Sequence, residues 1–575
     1  MNNNYNNWIK HLEGTPDGDA LKAMTEPDML DAFSGNIAFG TGGLRGIMGL
    51  GTNRLNHYTV ERVTHGLAKT ILTKDLPKSV CVAYDTRFNS TAFAQTVCKV
   101  LSAFGIKVHV FDKPVPTPML SFAIRHLRLG WGVSITASHN PQEYNGYKVY
   151  NHQGVQVTDQ LASEITKSIE TVDFFEKLPN EPVIPIGHTC SVLDTESTRN
   201  PPQSLITTID TELEELYKND IISYITNHQP NPPSNFPFVY SALHGAGANA
   251  VPEVLRKLGY SPICIQQEPD GAFGGILTPN PEEPIVYEKA IEAAKKSNAK
   301  LLLATDPDCD RVGVLVKTHS KTNTTTDFET LNGNQIGALL IDYLVKTRGV
   351  NPGDTVITTI VSGLLGERIA KEYNLEFTRL LTGFKYIGEY AEQLTEDKKF
   401  FFGYEESYGF LAGDGARDKD AVIATALIVK MADYYYQENK TLLDRWEELS
   451  EEHGYCLENL HSAEASQSKQ QEIMKKLRTN TKTGTDTITE ATPSTGNNPL
   501  IEGLAKIEDY LHGLDGLPPA DVIKLVFENK SWAAIRPSGT EPKIKLYTGV
   551  IEKTKEKAET SLTQLTKTLL QIMQL

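Results

Sequence analysis

The chain has 575 residues, too many for one hydrophobic core, and this length predicts roughly three to five domains. Lysine and arginine number 56 against 72 aspartate and glutamate residues, so the net charge of −16 argues against nucleic acid or an anionic membrane as the main partner. No apolar run approaches the ~20 residues of a membrane span, and the N-terminus lacks the segments of a secretory signal. We therefore expect a soluble cytoplasmic protein, in which local arginine and lysine clusters would attract any phosphorylated ligand.

Short apolar runs alternate along the chain with segments of helical periodicity. The first such segment places Val60, Val63, Leu67 and Ile71 on one helix face. Apolar runs that predict buried strands follow at 80–83, 107–111, 238–240, 301–304 and 356–360. This alternation predicts α/β domains with parallel or mixed sheets, in which the polar turns that follow strands are the usual ligand sites.

Three polar segments and a last helix complete the pattern. Residues 195–202 are polar and proline-rich and predict a boundary, and residues 318–326 predict a hairpin tip. Residues 479–498 are rich in Thr, Gly, Asn and Ser, have little to bury and predict a simple connection. The final segment predicts a helix whose apolar face packs on the core, formed by Ala558, Leu562, Leu565, Leu569 and Ile572.

The most informative motif is the hexapeptide Thr-Ala-Ser-His-Asn-Pro at 136–141, which follows an apolar run at 132–135. It predicts a polar turn in which Ser138 has an exposed hydroxyl and His139 lies beside it. A hydrolase triad is a weak interpretation, because the G-x-S-x-G elbow is absent and adjacent residues rarely form a nucleophile–base pair. Two interpretations stay open for the motif alone, a turn that caps a helix and a reactive serine. Lys148 follows closely enough to return to the same pocket.

Asp306, Asp308 and Asp310 alternate along a short loop after the predicted strand at 301–304. Carboxylates two residues apart in an extended loop can direct their oxygens to one point, which suits a hard divalent cation. The loop lacks the glycine and the distal glutamate of an EF-hand. Three carboxylates leave positions for a phosphate oxygen, as Mg²⁺ prefers, and Arg311 could reach the same phosphate. A solvated acidic turn is the alternative for this loop alone.

Three further motifs offer groups that bind anions or sugars. The glycine-rich segment 39–46 supplies backbone N–H groups and Arg45, and it matches neither a Walker motif nor a dinucleotide fingerprint. The segment 536–540, Arg-Pro-Ser-Gly-Thr, resembles a phosphate cradle with a guanidinium, two hydroxyls and a glycine. The segment 403–409, Gly-Tyr-Glu-Glu-Ser-Tyr-Gly, carries acceptors suited to sugar hydroxyls. Each segment, taken alone, is also compatible with a plain turn.

Together these motifs resemble the α-D-phosphohexomutase superfamily, over a stretch from about residue 39 to about residue 548. That family has a phosphoserine loop, a D-x-D-x-D-R metal loop, a G-E-E-S-type sugar loop and an R-x-S-G-T phosphate loop, in this order. The chain carries the four in the same order, at 136–141, 306–311, 403–409 and 536–542. Independent coincidences at four ordered places are implausible, so the joint match outweighs the alternatives for each motif. Segments 39–46 and 51–54 look closest to the phosphoglucomutase-2/phosphopentomutase-like branch.

The resemblance implies an α/β fold with three related mixed α/β domains and a smaller C-terminal α+β domain around a central cleft. We place the domain with the phosphoserine loop at 1–203 and the domain with the metal loop at 204–327. The domain with the sugar loop would then span 328–456, and the domain with the phosphate loop 457–575.

The resemblance also implies a role for each matching residue. Ser138 would be phosphorylated in the active enzyme, and Mg²⁺ would be held by Asp306, Asp308, Asp310 and a phosphoserine oxygen. The groups beside the reacting hydroxyl would be Arg45, Lys148 and His139. The substrate would be bound by Arg311, Thr382, Gly383, Glu405, Ser407 and Lys419. Its non-reacting phosphate would be bound by Arg536, Ser538, Gly539 and Thr540.

The implied activity is reversible phosphoryl transfer between C1 and C6 of a hexose phosphate, which converts glucose 1-phosphate to glucose 6-phosphate. Glucose 1,6-bisphosphate would be the intermediate and activator, and the protein would be a monomer or dimer that binds small sugar phosphates. Phosphopentomutase or phosphomannomutase activity is the main alternative, and a non-catalytic sugar-phosphate sensor is a third. A sugar phosphatase is disfavoured, because the D-x-D-x-[TV] nucleophile motif is missing.

One departure from the family pattern concerns proton transfer. Many bacterial members have Ser-Gly-His in the sugar loop, whereas this chain has Ser407 followed by Tyr408 and Gly409. Proton transfer would therefore rest on Arg45, Lys148 or His139.

Overall fold

The computed structural model describes residues 3–40, 43–180, 205–228, 232–318, 327–480, 503–537 and 543–575. The predicted boundary at 195–202 lies outside these ranges, as do residues 319–326 of the predicted hairpin tip and 481–498 of the Thr-rich segment. Within the described ranges the chain forms twenty strands in four sheets and seventeen α-helices. None of the described helices is long and apolar enough to cross a membrane.

The first sheet has six strands, which are β1 (Gly43–Ile47), β2 (Ser79–Tyr84), β3 (Lys107–Phe111), β4 (Trp131–Ile135), β5 (Tyr144–Tyr150) and β6 (Ile206–Ile209). Its spatial order is β1-β5-β4-β2-β3-β6, in which the pairs β1–β5 and β5–β4 are antiparallel and the other three are parallel. The helices of this region are α1 (Asn3–His11), α2 (Pro16–Lys22), α3 (Glu26–Ala32), α4 (His57–Thr73), α5 (Ser90–Ala103), α6 (Thr117–His126) and α7 (Asp159–Glu170).

The second sheet is formed by β7 (Phe238–Ser241), β8 (Ile263–Ile265), β9 (Leu301–Thr305), β10 (Val312–Lys317) and β11 (Phe328–Leu331), in the order β11-β10-β9-β7-β8. Its helices are α8 (Thr211–His228), α9 (Gly247–Lys257) and α10 (Glu288–Ser297). The third sheet is formed by β12 (Asp354–Thr359), β13 (Glu376–Leu380), β14 (Lys399–Tyr404) and β15 (Phe410–Leu411), in the order β13-β12-β14-β15. Its helices are α11 (Gly333–Arg348), α12 (Leu365–Glu372), α13 (Phe384–Glu392), α14 (Ala421–Gln437) and α15 (Leu442–His453).

The fourth sheet is fully antiparallel, with the order β16-β20-β19-β18-β17. Its strands are β16 (Tyr455–Glu464), β17 (Leu504–Asp509), β18 (Ile523–Phe527), β19 (Trp532–Pro537) and β20 (Lys543–Glu552). The helices α16 (Gln467–Asn480) and α17 (Lys555–Met573) accompany it. Three mixed α/β units and a C-terminal α+β unit are therefore present, which confirms the predicted fold class.

In the first three sheets, one sequence motif occupies the same topological position. The serine motif connects β4 to the antiparallel β5, the aspartate loop connects β9 to the antiparallel β10, and the sugar loop connects β14 to the antiparallel β15. The strand before each motif also pairs in parallel with a neighbour in its own sheet. Each motif thus lies at the carboxyl end of a strand within the parallel part of its sheet, where α/β folds place their ligands.

One continuous core joins the first three sheets. It contains Leu120 of α6, Tyr240 of β7 and Leu427 of α14, all of which are buried. Because the serine, aspartate and sugar loops extend from elements that share this close-packed core, packing fixes their relative positions.

The elements predicted from periodicity agree with the structure in type and place. Residues 60–71 lie in α4, and the five predicted strands coincide with β2, β3, β7, β9 and β12. The strands that flank the predicted hairpin tip, β10 and β11, pair antiparallel. The apolar face of α17 packs on the fourth sheet, with Ala558 and Leu569 fully buried.

Candidate active site

Ser138 lies in the turn between β4 and β5 and adopts a left-handed backbone conformation, with φ at +52°. Its backbone N–H donates to Oγ1 of Thr136 at 2.8 Å, and its hydroxyl donates to Oδ2 of Asp306 at 2.7 Å. Nδ1 of His139 lies 3.2 Å from the same hydroxyl. The expected exposure of Ser138 is wrong, because the aspartate loop of the second unit covers the turn and leaves only 2% of Ser138 exposed.

The aspartate loop brings three buried carboxylates together. One oxygen each of Asp306, Asp308 and Asp310 lies within 4.8 Å of the others. The loop turns sharply because Cys309 has a φ of +53°, and Oδ1 of Asp306 accepts the backbone N–H groups of Asp310 at 3.1 Å and Arg311 at 3.0 Å. The alternative of a solvated acidic turn is wrong, since all three carboxylates are buried.

Two lysines from distant parts of the chain approach these carboxylates. Nζ of Lys148 on β5 lies 2.8 Å from Oδ2 of Asp308 and 3.2 Å from Oδ2 of Asp310. Nζ of Lys419 lies 2.7 Å from Oδ2 of Asp310. Both ammonium groups therefore contact the aspartate loop directly, and they offset part of its negative charge.

The nearby positive charges shift the pKa values of the loop carboxylates unequally. Burial, together with the charges of Asp308 and Asp310, raises the pKa of Asp306 well above its usual value. Burial alone would also raise the pKa of Asp310, but Lys419, Lys148 and Arg311 together lower it. Burial would lower the pKa of Lys148, yet Asp308 and Asp310 raise it, so its ammonium form is favoured.

The donor set fits a hard divalent cation. Oδ1 of Asp308 and Oδ1 of Asp310 are buried and accept no hydrogen bond from the described residues. An unsatisfied buried carboxylate oxygen is costly, and a bound cation would remove that cost. Carboxylate oxygens are the ligands that Mg²⁺ takes in proteins, so the residues present fit the expected metal.

Arg311 links the aspartate loop to the sugar loop. Its backbone forms an antiparallel bridge with Gly409, and the backbone N–H of Val312 donates to the carbonyl of Tyr408 at 3.2 Å. The guanidinium donates to Oε1 of Glu282 at 3.0 Å. These contacts hold Arg311 between the carboxylates of the aspartate loop and the segment expected to bind the sugar.

The sugar loop contacts the loop before α13, so Glu405 and Gly383, which are both expected to bind the substrate, lie side by side. Oε1 of Glu405 accepts the backbone N–H of Gly383 at 2.9 Å, and Gly383 has a φ of +126° that favours glycine. Burial and the neighbouring Glu406 raise the pKa of Glu405 to about 7. The hydroxyl of Thr382 is buried and has no partner among the described residues, and Ser407 is half-buried beside the loop.

Arg536 is the last residue but one of β19, and in the sheet register it lies opposite Lys545 of β20. Like charges at opposite positions of a sheet are unfavourable, so this pair suits an anionic ligand. Burial first, and then Arg536, lower the pKa of Lys545. Ser538, Gly539 and Thr540, which were predicted to bind the same phosphate, lie outside the described residues.

Arg45 of β1 borders the serine turn, where its Nη1 donates to Oδ1 of Asn140 at 2.9 Å. Burial, followed by the charges of Arg311 and Arg45, lowers the pKa of His139 well below its usual value. The structure therefore brings the serine motif, the aspartate loop, Arg45 and Lys148 into one cluster, to which Lys419 and Arg311 are added from two sides.

Four family models match this chain. They are the phosphoglucomutase/phosphomannomutase alpha/beta/alpha domains I, II and III at residues 36–176, 215–320 and 332–452, and the C-terminal domain at residues 491–561. A protein named phosphoglucomutase from Staphylococcus epidermidis is 36% identical over 555 residues, which cover 94% of this chain and 96% of that relative. The chain belongs to the phosphoglucomutase/phosphomannomutase family. This assignment confirms the resemblance to the α-D-phosphohexomutase superfamily inferred from the ordered motifs.

Solved structures share the fold of this phosphoglucomutase/phosphomannomutase chain. The parafusin of Paramecium, described as a phosphoglucomutase and solved in an open form, aligns with a TM-score of 0.71 and 18% identity over 95% of each chain. The N-acetylphosphoglucosamine mutase of Aspergillus fumigatus, solved with GlcNAc-6P and magnesium, aligns over the full length of both chains with a TM-score of 0.52 and 12% identity. Both comparisons concern the fold alone.

Several residues around this family's serine turn lie outside the sequence motifs. Asp85 and Arg87 follow β2 and are buried behind the turn, and Thr117 at the start of α6 donates to Oδ2 of Asp308 at 3.2 Å. A signal was available for the first two, because they occupy the polar segment directly after a predicted buried strand. Thr117 carried no such signal, because its approach to Asp308 depends on packing between the first two units.

Proposed function

We propose that the chain is a phospho-sugar mutase that interconverts glucose 1-phosphate and glucose 6-phosphate. The observation that carries this proposal is the 2.7 Å contact of the Ser138 hydroxyl with Asp306, one of three clustered buried carboxylates that suit a cation. Family membership supports the same reaction, since relatives that are 34–36% identical over nearly the whole chain are named phosphoglucomutase.

In the proposed cycle, Ser138 carries the phosphate between the two positions of the sugar. The free hydroxyl of the substrate attacks phosphorus, the bond from phosphorus to Oγ of Ser138 breaks, and a sugar bisphosphate forms. The bisphosphate then turns over, and its other phosphate returns to Oγ of Ser138. Phosphoryl transfer of this kind depends mainly on positioning and on neutralising the charge of the phosphoryl oxygens.

The charged residues of the cluster would divide this work between them. Arg311 would face the transferred phosphoryl group. Arg45 of β1 borders the serine turn, where it donates to the side chain of Asn140. Lys148 and Lys419 would neutralise the aspartate loop and, with His139 and Arg45, supply the groups near the reacting hydroxyl. The buried position of Ser138 supports this division, because a phosphoserine must be kept away from water to avoid hydrolysis.

A cation would be held by Asp306, Asp308 and Asp310, with a phosphoserine oxygen as a further ligand. When bound, Mg²⁺ would supply positive charge to the phosphoryl oxygens. Two buried carboxylate oxygens without a hydrogen-bond partner among the described residues support this assignment. The fold neighbour from Aspergillus fumigatus was solved with magnesium, which is consistent with the same choice of metal.

The sugar and its second phosphate would be bound by the third and fourth units. Glu405 would accept hydrogen bonds from sugar hydroxyls, and Ser407 would donate or accept them. Thr382 and Gly383 would distinguish the two orientations of the sugar. Arg536, together with Ser538, Gly539 and Thr540, would hold the non-reacting phosphate. Lys545, opposite Arg536 in the sheet register, would add a second positive charge there.

The proposed bounds of the four units are 1–203, 204–327, 328–456 and 457–575, in a cytoplasmic protein. Expression of 457–575 alone, and fractionation of cells, would test these two points. The sheets extend slightly past these bounds, because β6 pairs with β3 of the first sheet, β11 pairs with β10 of the second, and β16 of the fourth begins at Tyr455.

Kinetics of a Ser138→Ala variant test the reaction directly. We expect it to lose turnover of glucose 1-phosphate even when glucose 1,6-bisphosphate is supplied, while its far-UV circular dichroism stays unchanged. Ser121→Ala is a matched control, since Ser121 is another buried serine of the first unit, with its hydroxyl bonded to the carbonyl of Gly154. Turnover near wild type in Ser138→Ala would overturn the proposal.

The preferred sugar is tested by comparing substrates on the wild-type chain. We expect kcat/KM for glucose 1-phosphate to exceed the values for mannose 1-phosphate and ribose 1-phosphate. A higher value for ribose 1-phosphate or mannose 1-phosphate would replace the glucose assignment with phosphopentomutase or phosphomannomutase activity.

A further inference from the structure

The serine turn rests on a buried ion pair that the proposed reaction does not use. Asp85 follows β2, and its side chain is fully buried. Its carboxylate accepts hydrogen bonds from the hydroxyls of Ser90 at 2.7 Å and Thr136 at 2.6 Å, and from the backbone N–H of Arg87 at 3.0 Å. Nε of Arg87 lies 3.2 Å from Oδ2 of Asp85. The contacts with Ser90 and the Arg87 N–H fix Asp85 within its own segment, and the contact with Thr136 joins it to the turn that carries Ser138.

The guanidinium of Arg87 holds the serine turn through its main chain. It donates to four carbonyl oxygens of that turn, those of Ser138, Asn140, Pro141 and Tyr144. A planar guanidinium presents several donors in a fixed fork, whereas a lysine has a single rotating ammonium. Arg87 therefore fixes the path of the turn in a way that its charge alone would not.

Thr136 relays this support to Ser138 itself. Its hydroxyl donates to Asp85 and accepts the backbone N–H of Ser138 at 2.8 Å. The left-handed conformation of Ser138 costs of order 1 kcal/mol or more for a residue with a Cβ atom, so it persists only where the surroundings enforce it. The relay through Thr136 and the carbonyl bond from Arg87 are such restraints, one on the N–H and one on the C=O of the same residue.

The same ion pair is tied to the unit that carries the aspartate loop. The ring of Phe273 lies 5.0 Å from the Arg87 guanidinium, in a cation–π contact. Phe273 is fully buried and belongs to the second unit. Arg87 thus contacts the serine turn on one side and the second unit on the other, so it fixes Ser138 relative to Asp306.

We propose that Asp85, Arg87 and Thr136 are positioning residues, which aim the Ser138 hydroxyl at the cation site and thereby set the rate of phosphoryl transfer. A buried ion pair is weak support for stability, because desolvation offsets most of its attraction, but it is well suited to fixing one geometry. The inference rests on the proposed mutase function. It implies that kcat depends on these residues while KM for the sugar does not, since the groups proposed to bind the sugar lie in the third and fourth units.

Paired substitutions of Thr136 test this inference. Thr136→Val removes the hydroxyl with little change in shape, and Thr136→Ser keeps the hydroxyl. A misplacement of about 1 Å lowers rates roughly 100-fold, so we expect kcat of Thr136→Val to fall by roughly that factor. KM for glucose 1-phosphate should stay within about twofold of the wild-type value, because the substitution does not change the groups that are proposed to bind the sugar. Rescue by Thr136→Ser, to within about threefold of wild-type kcat, is expected because the relay is restored.

Arg87→Lys gives a second test that does not depend on Thr136. The rate at which Ser138 takes up phosphate from glucose 1,6-bisphosphate should fall in a single-turnover measurement by mass spectrometry, although the positive charge is kept. Arg445→Lys is the matched control, because Arg445 is a buried arginine paired with Asp342 away from the serine turn. That variant should lose stability without a change in the rate of phosphate uptake.

The outcomes separate this inference from the proposed function. A wild-type chain that takes up no phosphate on Ser138 refutes both. A wild type that takes up phosphate, together with Thr136→Val or Arg87→Lys variants that do so at the wild-type rate, refutes the inference alone. A parallel rise of KM in these variants would also refute it, because the residues would then act on sugar binding. If Thr136→Val does not fold, the inference is tested by comparing the rates of phosphate uptake in Arg87→Lys and Arg445→Lys.

Discussion

Replacing Glu458 by glutamine should stabilise the protein above pH 7. Glu458 lies on β16 of the fourth sheet, where its carboxylate faces the third unit. Nδ2 of Asn334 donates to Oε2 at 3.3 Å, and the backbone N–H of Leu364 donates to the same carboxylate. Burial raises the pKa of Glu458 to about 7, although these two donors and the charge of Arg379 favour the ionised form.

The sign and size of the effect follow from the two pKa values. Between the ordinary value of 4.5 and about 7, the folded protein keeps a proton that the unfolded chain has released, so the free energy of unfolding falls as pH rises through this window. Each pKa unit corresponds to about 1.4 kcal/mol, so the full gap is worth roughly 3 kcal/mol. Because Glu458 is only half-buried by surface area, solvent screening should reduce this to roughly 1–2 kcal/mol.

Glutamine keeps an oxygen for both donors and carries no charge, so Glu458→Gln should remove the penalty. We expect calorimetry at pH 8 to show a melting transition of the C-terminal unit that is a few degrees above wild type. At pH 5 the difference should nearly vanish, since the wild-type side chain is then protonated in the folded state. Glu464 is an exposed residue of the same strand, so Glu464→Gln should leave the melting transition unchanged at both pH 8 and pH 5. A transition at pH 8 equal to or below wild type in Glu458→Gln would refute the reasoning.

Three further perturbations have defined outcomes. Chelation of divalent cations, or Asp308→Asn at limiting Mg²⁺, should abolish turnover; activity that survives both would contradict the cation site. KM for glucose 1-phosphate should fall as pH rises through about 7, because Glu405 ionises there and then accepts hydrogen bonds from sugar hydroxyls. Glu405→Gln should flatten this pH profile of KM. A profile that is unchanged in this variant would assign the pH dependence to another group. Gly363→Ala should destabilise the protein by roughly 1–3 kcal/mol in denaturant unfolding, since its Cβ would lie 2.3 Å from Oε1 of Glu458; an unchanged midpoint would show that the two units can separate at this point.

The strands and helices could be predicted because their signals are local. Buried runs such as 80–83 and 301–304 contain enough apolar residues to identify strands, and the ordered motifs identified the family. The position of Ser138 depended instead on tertiary packing. Its hydroxyl bonds to a carboxylate 168 residues away, and the covering loop buries a serine that the sequence predicted to be exposed.

The partners of the charged residues were also beyond sequence reasoning. Lys419 was matched to a substrate phosphate, and the structure shows its ammonium on Asp310, a contact that depends on the packing of two units. Arg87 gave no motif of its own, because its ligands are backbone carbonyls, which any sequence supplies. Its place after a predicted strand made it a candidate, but the main-chain atoms that it holds can be identified only when the turn is in place.

The mass of the intact protein, measured before and after incubation with glucose 1,6-bisphosphate, tests the central claim most directly. The account predicts an increment of one phosphate, localised by peptide mapping to Ser138 and lost when glucose 1-phosphate or glucose 6-phosphate is added without the bisphosphate. A mass that does not change, or a phosphate found on another residue while Ser138 stays unmodified in the active enzyme, would contradict it.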